Sequence, residues 1–216
     1  MKVLFQNASF IAVDKEPGML SVPARLADDP RPVLGRELEK FLSCPVFPVH
    51  RLDAEVSGLV LYALNPEAHR DAGIAFENRK VKKTYQAFTR GGGGFSPGQR
   101  GEWKAKILRG KKRAYESPAG KLAVTAFEVC GQGSPDFLEW RLFPKTGRSH
   151  QLRWELYRHE SPILGDQLYG SNEIWSRGGV ALKSLSLEFE AEFNRRWELP
   201  PVLSAEPWSS ESGLMS

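Results

Sequence analysis

Cysteine is scarce: Cys44 and Cys130 are the only two in 216 residues. Two thiols so far apart make neither a disulfide framework nor a zinc-ligand cluster, and a reducing compartment is expected. No apolar run approaches the ~20 residues of a membrane-spanning helix. The opening MKVLFQNASF lacks the apolar core and small-residue cleavage site of a signal peptide, so a cytoplasmic protein is expected. The four histidines, His50, His69, His150 and His159, show no metal-ligand spacing, and no metal is expected. The glycine run 91–94 is not followed by Lys-Ser or Lys-Thr, which argues against a phosphate-binding loop and for a flexible connection. No internal repeat is visible. Charge of one sign is not dominant either: 30 Lys and Arg against 26 Asp and Glu give a net charge of +4. That excess suits a polyanionic partner without requiring one.

What is present is ordinary globular material, 41% hydrophobic and 26% charged. Length allows one domain, placed at residues 1–204, with a frayed tail at 205–216 and no separate N-terminal RNA-binding domain. VLFQN and FIAVD read as early strands before the turn-forming Pro17 and Gly18. VLGRELEKFL has apolar residues at helical spacing. FPVHRLDAEVSGLVLYAL reads as a strand, a polar break and a second strand, then a helix that Asn65 caps with Pro66 in its first turn. VKKTYQAF reads as a strand, and LAVTAFEVCG with DFLEWRLFP as a hairpin. A helix is expected from Ser149, as its cap, to His159, and VALKSLSLEFEAEF closes the domain as a strand. Strands outnumber helices and are joined mostly by turns. The expected fold class is therefore α+β, a large, mainly antiparallel mixed β-sheet flanked by helices and loops.

Three segments look unlike scaffold: HRLDAEVSG at 50–58, KKTYQAF at 82–88, and PKTGRSHQLRWELYRHESPILGDQLYG at 144–170. The first sets a carboxylate, Asp53, in a polar loop between apolar strands, after a bulky Leu52 able to anchor the turn. Taken alone, Asp53 reads as a loop cap with Arg51 as its ion-pair partner. Tyr85 alone reads as a core tyrosine, and Arg153 alone as a helix surface residue. In the third segment Gly147 permits a tight turn, and the helix that follows presents N-terminal amides favourable to an anion.

In order and spacing these segments resemble the RluA branch of the RNA pseudouridine synthases, and VDKEPGMLSVPARL resembles that family's N-terminal stretch, so the likeness runs from about residue 3 to 195. The resemblance implies a pseudouridine synthase catalytic domain, isomerising uridine in tRNA, rRNA or both without a cofactor. It makes Asp53 the catalytic aspartate, Tyr85 the ring against the target base, and Arg153 the arginine that pairs with Asp53. Arg51 becomes the side chain that enters the stack left by a flipped uridine. With Leu52, Arg148, His150, Gln151 and Leu152 it forms the implied substrate-binding set, Leu52 and Leu152 helping to exclude water. A monomer is expected. Asp53 acts either by attacking C1′ or by removing a sugar proton, and the residues do not separate these routes. Two other readings are a noncatalytic RNA-binding protein of the same fold and a glycoside hydrolase, though no second facing carboxylate is signalled for the latter. The chain departs from the pattern at Val56, where threonine is usual, and at Trp154 and Glu155, where a small apolar residue and a histidine are usual. These changes bear on helix packing and substrate shape.

Overall fold

The computed structural model describes residues 1–24, 29–91, 93–134 and 137–209, which form two compact units. One comprises Met1–Lys82 and Ser184–Glu206, the other Lys83–Lys183 and the chain from Pro207. The class is α+β, as the strand-rich pattern implies.

In the first unit, β1 (Lys2–Gln6) pairs antiparallel with β2 (Phe10–Lys15), and β2 with β4 (Ser57–Ala63). The two-residue β3 (Phe47–Pro48) joins the end of β4, β10 (Leu182–Glu188) lies beside β4, and β11 (Leu203–Ser204) pairs with β10. Every residue of β4 is buried, which explains why its sequence is continuously apolar and not alternating. One face packs under α2 (Pro66–Glu77) through Ala68, Ala72 and Ala75, with small residues at helical spacing allowing close approach. The expected cap is present: Asn65 Oδ1 accepts the Ala68 N–H at 2.8 Å, and Pro66 opens the helix. In α1 (Leu34–Leu42) the buried stripe is confined to Leu34 and Leu38, while Phe41 is exposed.

The closing strand is shorter than the sequence pattern suggested. It ends at Glu188, and α4 (Ala191–Trp197) begins within the VALKSLSLEFEAEF segment expected to be strand throughout. The helix is legible in retrospect, because Phe189, Phe193 and Trp197 recur every four residues. Phe189 and Phe193 stack with centroids 4.5 Å apart, and Trp197 meets Phe10 edge-on at 5.8 Å.

The second unit is an antiparallel sheet in the order β5 (Lys82–Arg90), β9 (Phe137–Pro144), β8 (Lys121–Ser134), β6 (Arg100–Arg109), β7 (Ala114–Glu116). The expected hairpin is β8–β9; its turn residues Pro135 and Asp136 lie outside the described residues. Strands β6 and β7 were not anticipated, although Trp103, Ala105 and Ile107 alternate with polar residues as a half-buried strand requires. Helix α3 (Gln151–Arg158) covers this sheet, with Trp154 packed against Ala105, Ile107, Ala114 and Ala123.

The glycine run is not a loose connection where it is described. Gly93 has φ +62°, and a Cβ there would fall 2.2 Å from His159 O, so only glycine fits. Phe95, just beyond, packs on Trp140 at 4.8 Å; Gly92 lies outside the described residues. Nor does the chain fray at 205. Ala205 N–H bonds Leu185 O at 2.8 Å. Trp208 exchanges two hydrogen bonds with the Gln86 side chain, 2.8 and 3.0 Å, and packs 5.1 Å from Trp175. Residues 210–216 of the expected tail lie outside the described ones.

Candidate active site

Asp53 is held by its neighbours. In the loop before β4, Leu52 is buried and both of its backbone groups bond one side chain: Leu52 N–H donates to Ser21 Oγ at 3.0 Å, and Ser21 Oγ–H donates to Leu52 O at 3.2 Å. Tyr62, from β4, donates its hydroxyl to Ser21 O at 2.6 Å, and burial pushes that phenol above its usual range. On the other side, buried Ala54 gives its carbonyl to Gly18 N–H at 2.8 Å and to Lys15 Nζ at 3.1 Å. Asp53 O closes a turn with Val56 N–H. The carboxylate-bearing residue thus sits between two anchored residues, which fixes its backbone while Asp53 itself is only half-buried. Arg51, one residue further out, is exposed. His50 accepts the Leu61 N–H at Nε2 (3.0 Å) and stacks on Phe76, a structural task.

Lys15 was not anticipated. It is 1% exposed, and its ammonium donates to Glu16 O, Met19 O and Ala54 O at 2.9–3.1 Å. Burial lowers its pKa to about 8, opposed by the charges of Glu55, Asp53 and Glu16. The ammonium therefore ties the KEPG turn to the Asp53 loop. Because the folded pKa lies below the ordinary 10.5, this group's stabilising contribution is present above pH 10.5 and lost as pH falls through 8. Wild-type unfolding free energy is expected to gain on that of Lys15→Met between pH 8 and 10.5, read from urea midpoints; parallel trends would refute the assignment.

In the second unit the TGRSHQLR segment is a hydrogen-bonded knot. Gln151 uses its whole amide: Oε1 accepts from Thr146 Oγ1 (2.7 Å) and Arg148 N–H (3.0 Å), and Nε2 donates to Val124 O (3.1 Å) and Thr125 Oγ1 (2.8 Å). Its side chain is thus occupied in shaping the loop. Ser149 is not the helix cap. His150 holds that position in the left-handed region, φ 56°, without a side-chain cap bond. Its Nδ1 lies 3.1 Å from Tyr169 Oη, which also accepts the Ala114 N–H at 2.7 Å. Arg148 Nε donates to Leu122 O at 3.1 Å, and Leu152 is buried. Lys83, on β5, donates to Thr146 O at 3.1 Å; Tyr85 follows two residues later, opposite Leu142 of β9.

Arg153 is not a surface residue. It is 2% exposed, with Nε 2.7 Å from Asp166 Oδ2 and Nη2 2.8 Å from Asp166 Oδ1, a bidentate buried pair. Its guanidinium also lies 5.5 Å from the Tyr169 ring centroid. Asp166 and Tyr169 both come from the GDQLYG end of the third motif, so their partner was legible as a motif but not as a contact. Trp154 and Glu155, the departures from the family pattern, are both buried. Glu155 Oε2 accepts Arg158 Nε–H at 2.7 Å, and burial raises its carboxyl above the usual range.

The RNA pseudouridylate synthase family matches residues 9–158, a stretch containing the Asp53 loop, Tyr85 and Arg153. The chain belongs to that family. This synthase is 34% identical over 173 residues to the dual-specificity RNA pseudouridine synthase RluA of Haemophilus influenzae, covering 78% of this chain and 77% of that protein. It is 33% identical over 203 residues to the RluA of Pasteurella multocida, covering 91% and 90%. It is also 33% identical over 184 residues to the tRNA pseudouridine synthase C of that organism, covering 79% and 74%. Among solved structures, human RNA pseudouridylate synthase domain containing 1 shares the fold at TM-score 0.75 and 23% identity, covering all of this chain and 90% of the human one. Among the described residues, no helix of the synthase is long and apolar enough to cross a membrane.

Proposed function

We propose that this synthase converts uridine to pseudouridine in tRNA, rRNA or both, with Asp53 as the carboxylate that acts on the sugar. The observation that carries the assignment is the anchoring of Asp53 between Leu52 and Ala54, whose backbone groups are tied to Ser21, Gly18 and Lys15. Such clamping holds a reactive group in aim through its backbone. The relatives' names supply the substrate class: RluA is a dual-specificity RNA pseudouridine synthase, and synthase C acts on tRNA.

The reaction breaks C1′–N1, turns the uracil, forms C1′–C5, and moves one proton from C5 to N1. It balances without oxidant or reductant. The target base first leaves its stack, at about a few kcal/mol, least in a loop. Arg51, exposed beside Asp53, suits the vacated space, and Tyr85 lies against the uracil. Arg153, oriented by Asp166, is the cation of the proposed site. Arg148, His150 and Gln151 shape the loop that meets RNA, and Leu52 and Leu152 keep water out. The reading includes a cytoplasmic monomer.

Pseudouridine mapping of total RNA from cells lacking the protein, with and without the wild-type chain restored, tests this. A site lost on deletion and regained with the wild type is expected, and purified protein should convert the same uridine. Binding without conversion, or release of free uracil, would overturn the proposal.

A further inference from the structure

Strands β6, β7 and β8 have one face packed under α3 and one face turned outward. Trp103, Ala105, Ile107 and Ala123 are buried, so the residues between them point the other way. The register places Lys106 opposite Leu122 and Leu108 opposite Tyr115, and residues directly opposite in an antiparallel pair share a face. Tyr115 is 47% exposed, Leu122 46% and Leu108 38%. Three large apolar groups therefore lie open beside a lysine. At one end, the β6–β7 turn adds Arg109, Lys111, Lys112 and Arg113, all exposed. At the other end the carboxylates are already paired, Glu102 with Lys104 and Lys145, and Glu128 with Arg100 at 2.6 Å. The open middle is basic and aromatic.

Local geometry holds the aromatic in place. A Cβ on Gly110 would fall 3.1 Å from the Tyr115 ring and 3.1 Å from Arg113 O, so the ring edge lies close against the Gly110 backbone and a larger residue there would push on it by a few tenths of an ångström. The face is also continuous with the TGRSHQLR segment, since Arg148 Nε binds Leu122 O.

We infer that this sheet face is a second RNA-binding surface, which takes a single RNA strand flanking the target uridine, with an unpaired base stacked on Tyr115 and phosphates on Lys106 and the 109–113 turn. Cations with an exposed ring are the combination that single strands recognise without sequence preference: the ring takes a base, the cations the backbone. This inference rests on the proposed RNA substrate, and its test keeps the two apart.

Fluorescence anisotropy of labelled bulk tRNA from cells lacking the protein is measured between about 50 and 200 mM salt, with turnover on the same RNA. Tyr115→Ala is expected to weaken binding about tenfold, as loss of one stacked base does, and Tyr115→Phe to bind like wild type. Lys106→Glu should weaken binding and reduce the slope of log Kd against log salt by about one. Both losses should raise KM and spare kcat. Lys40→Glu on α1, exposed in the other unit, should change nothing. If wild type converts uridine while Tyr115→Ala and Lys106→Glu match its affinity and slope, the surface assignment fails and the enzyme reading stands. A loss as large with Lys40→Glu also defeats it, because the effect would then be net charge alone. If wild type neither binds nor converts this tRNA, nor rRNA from the same cells, the proposed function falls first.

Discussion

Asp53→Asn is expected to lower pseudouridine formation by about three orders of magnitude or more, with RNA affinity within a few-fold of wild type. The amide keeps the shape of the carboxylate but can neither attack C1′ nor take a sugar proton, so either route stops. The loop's backbone anchors at Leu52, Ala54 and the Asp53 carbonyl are not altered by the change. Single-turnover assays on bulk tRNA from the deletion strain, beside anisotropy binding, measure the two effects separately. A variant that binds and still turns over near the wild-type rate would remove Asp53 from the chemistry.

Arg153→Met should destabilise the protein by about 3–5 kcal/mol, because it strands Asp166 as a buried, uncompensated charge. Both partners are almost fully enclosed, 3% and 1% exposed, so solvent screening gives little relief. Replacing both, Arg153→Met with Asp166→Leu, removes the stranded charge and should recover most of that loss. Turnover is the discriminating readout. If the arginine also serves Asp53, the double variant regains stability in urea unfolding but not activity; a double variant that regains both would make Arg153 a structural residue only.

Much of this was readable in order along the chain. Asn65 followed by Pro66 carries its own helix start, and the β8–β9 strands announce themselves by β-rich runs around a turn. Helix α4 and strand β6 were equally written in the spacing of Phe189, Phe193 and Trp197, and of Trp103, Ala105 and Ile107. They were passed over because one ran on from a strand and the other lay among charged residues. The three motifs identified the family for the same local reason: each concentrates uncommon residue types in a few consecutive positions.

Partnership is a different kind of fact. Periodicity says that Leu152 and Leu156 face the core, but it also put Arg153 on the outside; only the packing of α3 on its sheet encloses that arginine and supplies Asp166. A lysine at residue 15 reads as a solvated charge until the KEPG turn and the Asp53 loop close over it and leave three carbonyls needing a donor. Gln151 reads as one polar side chain among several until the fold brings Thr146, Thr125 and Val124 to its amide. By itself the sequence determined the family, the local elements and the position of the candidate carboxylate, since these depend on neighbours within a few residues. Tertiary structure alone decided which polar groups are buried and what satisfies them, because a group cut off from water must find its partner wherever the folded chain brings one.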